Sequence, residues 1–144
     1  MPFDRAVFFL RDSPTPSGGT YATASETGGA VGIFEGVIPP GHGVHWHTHT
    51  RETECFHVIA GRFRFWCGDD VVDGGPGTTI VAPTHRRHRW QNISDDEGRL
   101  LMWVTPGGFE GLFAEIDALS TPTPQAIYEI ETRYGIISEI LDTQ

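Results

Sequence analysis

The chain is short of cysteine, short of cations and without a long apolar run, and each shortage closes off a class of protein. Two cysteines, Cys55 and Cys67, leave room for one disulfide at most. Ten basic side chains face nineteen acidic ones, a formal net charge of -9. That balance repels phosphate backbones and anionic headgroups, so neither nucleic acid nor membrane is expected as a partner. No apolar stretch approaches the roughly 20 residues needed to cross a bilayer. Near the start only Ala6–Leu10 is apolar, and Asp4 and Arg5 precede it. This is not the pattern of a secretion signal, and a cytoplasmic address is the default expectation.

What is present reads as one domain. A chain of 144 residues is long enough to bury a core, and 38% hydrophobic with 20% charged residues is an ordinary globular composition. Residues 1–19 read as an N-terminal arm, irregular through Arg11–Thr20, RDSPTPSGGT. Short strand-like runs then follow near Tyr21–Ala24, Ala30–Ile38, Val44–Thr48, Glu54–Ala60, Arg62–Trp66, Thr78–Ala82, His88–Ile93 and Arg99–Thr105. Pro39-Pro40-Gly41, Ala60-Gly61, Asp73-Gly74-Gly75-Pro76 and Asp95-Asp96-Glu97-Gly98 mark turns between them. Strands this short and numerous, with no internal repeat, predict an all-β double-sheet barrel over residues 20–108. From Phe109 the spacing changes. Phe109, Leu112, Phe113, Ile116 and Leu119 follow one helical face, and Thr123 caps a second helix that Gly135 stops. Residues 109–144 are therefore expected to form a C-terminal helical extension.

A two-residue turn at Ala60-Gly61 predicts a hairpin in which Glu54 faces Cys67, Phe56 faces Phe65 and Val58 faces Phe63. These six side chains then point inward. Cys55, His57, Ile59, Arg62, Arg64 and Trp66 point outward, so the two cysteines lie on opposite faces and free thiols are expected. Cys67 reads as small core filler. The outer face, mixing Ile59 and Trp66 with arginines, suits either a homodimer contact or coverage by the arm or a C-terminal helix.

The chemistry concentrates in two stretches. In GHGVHWHTHTRETECFHVIAG, Gly41–Gly61, His47 and His49 are two apart and share a face of an extended chain. Glu54 follows five residues later. In GTTIVAPTHRRHRWQN, Gly77–Asn92, His88 lies beyond the turn marked by Pro83. Three imidazoles and a carboxylate suit a borderline divalent metal. Gly41, His47, His49, Glu54 and Gly61, then Gly77, Pro83, His88 and Asn92, resemble the two signature motifs of the cupin superfamily at full spacing. The one departure is His85, which stands where the turn glycine is expected.

The resemblance implies a cupin double-stranded β-helix, a jelly-roll barrel with short C-terminal helices. It also implies one divalent metal per chain on His47, His49, Glu54 and His88, with a coordination position left for water or substrate. The exit segment TPGGFEGLFAEID, Thr105–Asp117, looks like that of small quercetinase-like cupins. Among single-domain cupins, the cyclases of aromatic polyketide pathways are the likeness favoured here. There zinc suffices as a Lewis acid and a base, His45 or Glu54, takes a proton. A quercetinase-like dioxygenase using iron, manganese, nickel or copper is the alternative, and a non-catalytic small-molecule binder the third reading. Three roles are open to His45: acid-base group, ligand in place of Glu54, or hydrogen-bonded rim residue. His85 either overhangs the cavity or lies in a solvated turn. Phe56, Phe63, Phe65, Trp90 and Trp103 are expected to wall a pocket for an aromatic or poly-ketone substrate, with Phe109 and Phe113 nearby.

Overall fold

Side chains two apart on a strand share a face, and the chain uses this rule to bury one face of its central strands. In β9 (Gly98–Thr105) residues 98, 100, 102 and 104 are buried and those between them are not. The computed structural model describes residues 6–7 and 18–142; the arm from Arg11 to Ser17 lies outside the described residues. The other strands are β1 (Gly18–Ala22), β2 (Gly32–Ile38), β3 (His47–His49), β4 (Thr53–Ala60), β5 (Phe63–Cys67), β6 (Asp70–Gly74), β7 (Thr79–Ala82), β8 (His88–Asn92) and β10 (Ile136–Ser138). Helices α1 (Ala24–Thr27), α2 (Gly111–Asp117) and α3 (Pro124–Arg133) complete the fold.

The strands form two antiparallel sheets, ordered β1-β2-β9-β4-β7 and β10-β3-β8-β5-β6. Their inner faces close on Phe34, Phe56, Val58, Phe63, Phe65, Leu100, Met102 and Val104. This is the expected all-β jelly roll with short C-terminal helices. Thr123 caps α3 as its sequence suggests, its Oγ1 accepting the Ala126 N–H at 3.1 Å. No helix among the described residues is long and apolar enough to cross a membrane.

Three local expectations are corrected. First, β4 and β5 are not a hairpin: β4 pairs with β7 and β9, whereas β5 pairs with β6 and β8. Gly61, at φ 86°, turns the chain from one sheet to the other. Glu54, Phe56, Val58, Phe63 and Phe65 still point inward, because the inner faces of two facing sheets impose the same parity as one hairpin face. Second, the segment after Gly108 holds a strand as well as helices. β10 adds to β3, with Ser138 opposite His47 and Ile136 opposite His49. Three residues are too few to signal a strand by alternation. Strand β6 was also invisible, since Val71 and Val72 are both exposed. Third, Trp103 lies between the buried Met102 and Val104 and so faces outward from β9.

The turn before β8 keeps its geometry without its glycine. His85 takes φ 67°, the one positive value outside glycine among the described residues. Its N–H donates to the His49 carbonyl at 2.8 Å, tying the turn to the strand that carries two candidate ligands. A left-handed residue with a Cβ is strained by about 1–2 kcal/mol, against which glycine gives back some unfolded-state entropy. His85→Gly should therefore raise stability by about 0.5–1 kcal/mol in urea denaturation, whereas most substitutions lower it.

Candidate metal centre

Four buried side chains converge between the sheets. His47 and His49 leave β3 on one face, His88 stands opposite His47 on β8, and Glu54 reaches across from β4 of the other sheet. None is more than 5% exposed. One ligating atom of each lies within 4.8 Å of the others. Glu54 Oε1 is the hub, 2.9 Å from His49 Nε2, 3.1 Å from His88 Nε2 and 4.0 Å from His47 Nε2.

The outward nitrogens of the rings are also held. His47 Nδ1 donates to the His45 carbonyl at 2.8 Å, and His88 Nδ1 to the Arg86 carbonyl at 3.2 Å. A carbonyl only accepts, so in the neutral ring the proton sits on Nδ1 and the Nε2 lone pair points inward. His49 Nδ1 faces Glu52 Oε1 at 3.3 Å, close enough for charge attraction although not aligned as a hydrogen bond. Inward lone pairs beside a carboxylate oxygen repel one another in a buried space, and a cation among them turns every one into a ligand. The donor set therefore fits a divalent metal ion, which His47, His49, Glu54 and His88 would hold.

Charge is divided unevenly across the cluster. Burial raises the Glu54 carboxyl, but the His49 charge and the contacts of His47, His49 and His88 outweigh it and hold the group well below the usual carboxylate range. Burial also opposes charge on His49. The Glu54 charge and the Glu52 and Glu54 carboxylates win, and the ring is pushed up to about 9. His47 goes the other way, lowered by burial and by the charges of His88 and His49 despite its contact with Glu54.

His47 and Glu54 form part of the lining of a cavity of about 660 Å³. Its walls are apolar, with Phe34 and Val37 from β2, Trp90 from β8, Leu112 and Phe113 from α2 and Ile127 from α3. Phe109 also lines it and meets the His49 ring edge-on at 4.7 Å. Of the aromatic side chains expected to wall the pocket, Trp90 does so. Phe56, Phe63 and Phe65 are instead packed into the core, at most 4% exposed, because their strands lie in the centres of the sheets. Trp103 faces away. Phe109 and Phe113, expected nearby, do line the cavity, whereas Leu112 and the wall from α3 were missed, since helical periodicity says which face is apolar and not where the helix docks.

His45 lines the polar end of the cavity but is turned to another partner. Its Nε2 lies 3.0 and 3.1 Å from the two carboxylate oxygens of Glu131 and 3.2 Å from Ser138 Oγ. Ser138 Oγ donates to Glu131 Oε1 at 2.7 Å. Burial raises the Glu131 carboxyl, yet the hydrogen bonds of His45 and Ser138 and the nearby histidine charges bring it below its ordinary value. The carboxylate in the cluster is Glu54, and His45 is not one of its four residues. His85 is exposed in its turn, and His57 bonds Thr79 Oγ1 at 2.7 Å on the outer face. Both cysteines are free, Cys55 buried and Cys67 half-buried, and burial raises both thiols.

Metal removal tests the cluster directly. Zinc at a thousand times its Kd should stabilise the stripped protein by about 4 kcal/mol, read as a rise in Tm. His88→Ala should lose both that rise and the bound metal in elemental analysis. A His88→Ala protein that keeps one metal per chain contradicts the ligand set.

Residues 34–104 match the family described as cupin domain, Cupin_2. Protein SchB of Streptomyces halstedii is 32% identical over 87 residues, covering 60% of this chain and 62% of that protein. Polyketide synthase CurC of Streptomyces cyaneus is 25% identical over 87 residues, covering 60% of this chain and 55% of that one. The alignment thus spans less than two thirds of either relative. A solved structure from Klebsiella pneumoniae, an uncharacterized conserved protein with a double-stranded β-helix domain, superposes with a TM-score of 0.55. It is 18% identical and covers 71% of this chain and 84% of that one, a likeness of fold alone. Together with the motif spacing and the two-sheet barrel, these matches make residues 34–104 of this chain a cupin domain whose His3Glu cluster can bind a metal ion.

Proposed function

We propose that the chain is a metal-dependent cupin enzyme that closes rings in an aromatic, polyketide-type substrate by aldol cyclisation and dehydration. The observation that carries the reading is that His47 and Glu54 of the His3Glu cluster, together with His45, line a cavity whose walls are mostly apolar. A flat, mostly apolar molecule with oxygens at one edge matches such a site, and one relative bears the name polyketide synthase. A divalent ion held by the cluster, zinc being the first choice, supplies Lewis-acid polarisation of a substrate carbonyl.

The chain's own residues supply the rest. His45 takes a proton from a methylene between two carbonyls, the carbanion carbon bonds to a second carbonyl carbon, and the proton passes to the alkoxide so formed. Removal of the second methylene proton then makes the C=C bond as the C–O bond breaks, and that oxygen, protonated again, leaves as water. Phe113, Trp90 and Val37 exclude water and hold a flexible poly-ketone folded, so that the reacting carbons meet within one molecule. Glu54, the other candidate base, faces the imidazoles at the hub and would be a ligand of the ion, which leaves proton transfer to His45. A cytoplasmic homodimer belongs to the same proposal. The exposed Ile59 and Val81, both on strands of one sheet, support the dimer.

Elemental analysis paired with oxygen uptake on a linear poly-ketone and on a polyphenol tests the reading. The expected result is about one zinc per chain, no oxygen use, and a product lighter by water. Iron, manganese, nickel or copper with stoichiometric oxygen consumption overturns it in favour of a dioxygenase, and unchanged ligand in a tight complex overturns it in favour of a binder. His45→Gln should lower kcat by about 10²-fold or more while metal content is unchanged.

A further inference from the structure

We infer that Glu131, a buried carboxylate brought in by the C-terminal segment, is a positioning residue that fixes the proton of His45 on Nε2, so that α3 and β10 are part of the active site. The inference rests on the reading of His45 as the base of the proposed cyclisation.

Glu131 sits on a ten-residue helix with abundant exposed surface, yet it is 6% exposed. Burying an ionised carboxylate without partners is strongly unfavourable, so its burial needs a compensating set of donors. That set is His45 and Ser138. Ser138 is in turn held by main-chain contacts around the ligand strand. It pairs with His47 across β10 and β3, and its Oγ accepts the Ile140 N–H at 3.2 Å. The Glu139 N–H donates to the carbonyl of Trp46, the residue between His45 and His47. The last described strand and the residue after it therefore hold the chain immediately beyond His45, at Trp46 and His47.

The chemical consequence follows from what a carboxylate can do. Ionised Glu131 only accepts, so the His45 nitrogen facing both its oxygens must be N–H. In a neutral ring that leaves Nδ1 bare, and Nδ1 is then the atom that receives a proton. The imidazolium so formed stands against a negative charge already in place, the division of labour of a carboxylate–histidine dyad. Each transfer involved moves a proton from substrate carbon to Nδ1 and on to the same substrate oxygen, once for ring closure and once as that oxygen leaves as water. If Glu131 merely anchored α3 to the barrel, it would affect stability and leave both tautomer and turnover unchanged.

The test reads the ring first and the reaction second. Zinc-loaded, ¹⁵N-labelled protein at pH 8 is examined by long-range ¹H–¹⁵N correlation, with the His45 ring assigned by comparison with His45→Gln. The expected spectrum shows a protonated Nε2 and a bare Nδ1. On a synthetic linear poly-β-ketone, Glu131→Leu should lower kcat about 100-fold with KM within about twofold and metal per chain unchanged, and Glu131→Asp should recover part of the loss. If Glu131→Leu does not fold, Glu131→Gln carries the same comparison. The spectrum is followed upward in pH until the ring is neutral, and a neutral ring with its proton on Nδ1 overturns the inference. So does a folded Glu131 variant with wild-type kcat. Because the tautomer is read without substrate, the expected ring in a protein that turns over no poly-ketone refutes the cyclase reading and leaves the dyad standing.

Discussion

Buried imidazoles aimed at a single carboxylate oxygen are the arrangement on which the rest of this structure depends. Two of the rings surrender their outer nitrogens to backbone carbonyls, so their inner nitrogens have no proton left to offer Glu54. The third, His49, is squeezed between Glu52 and Glu54 and is drawn towards a positive charge. Only a cation relieves all of these contacts at once. The geometry is also one that a single sheet does not supply. Three groups come from neighbouring strands of one sheet and the fourth from the sheet that faces it, so the cluster exists only while the barrel is closed.

The same closure sets what can approach the cluster. Aromatic packing among Phe56, Phe63 and Phe65 fills the barrel on one side, and α2 and α3 lay apolar side chains over the other. Between them remains a mostly apolar cavity whose lining includes His45, His47, Glu54 and Glu131, with Glu35 and Asp117 as its other acidic groups. A ligand without charge along most of its length loses little on entering it, whereas a phosphate would leave its charge unmatched. Segment order matters too. The C-terminal strand pairs directly with the ligand strand, so residues far apart in sequence share one hydrogen-bonded unit.

How much of this could be read from the chain differs from residue to residue, for physical reasons. The four residues of the cluster were legible because strand geometry turns a spacing of two into one face, and because glycines and Pro83 fix the turns between them. The inward set on β4 and β5 was legible even though the hairpin was not, since parity survives a change of pairing partner. Glu131 was not legible: it is 86 residues from His45, and an acidic residue on an amphipathic helix looks like solvent-facing surface until the helix docks. The α3 wall of the cavity was missed for the same reason, although Trp90, Phe109 and Phe113 were expected in or near it. His85 shows the converse, a glycine position recognised from the motif and then occupied by a histidine that adopts the glycine's backbone conformation.

The most direct test of the account is X-ray absorption at the metal edge of the loaded protein. The cluster predicts a first shell of three imidazole nitrogens and carboxylate oxygen at about 2.0–2.2 Å, with the multiple-scattering signature of histidine. A sulfur shell near about 2.3 Å, or a shell of oxygens alone, would contradict it.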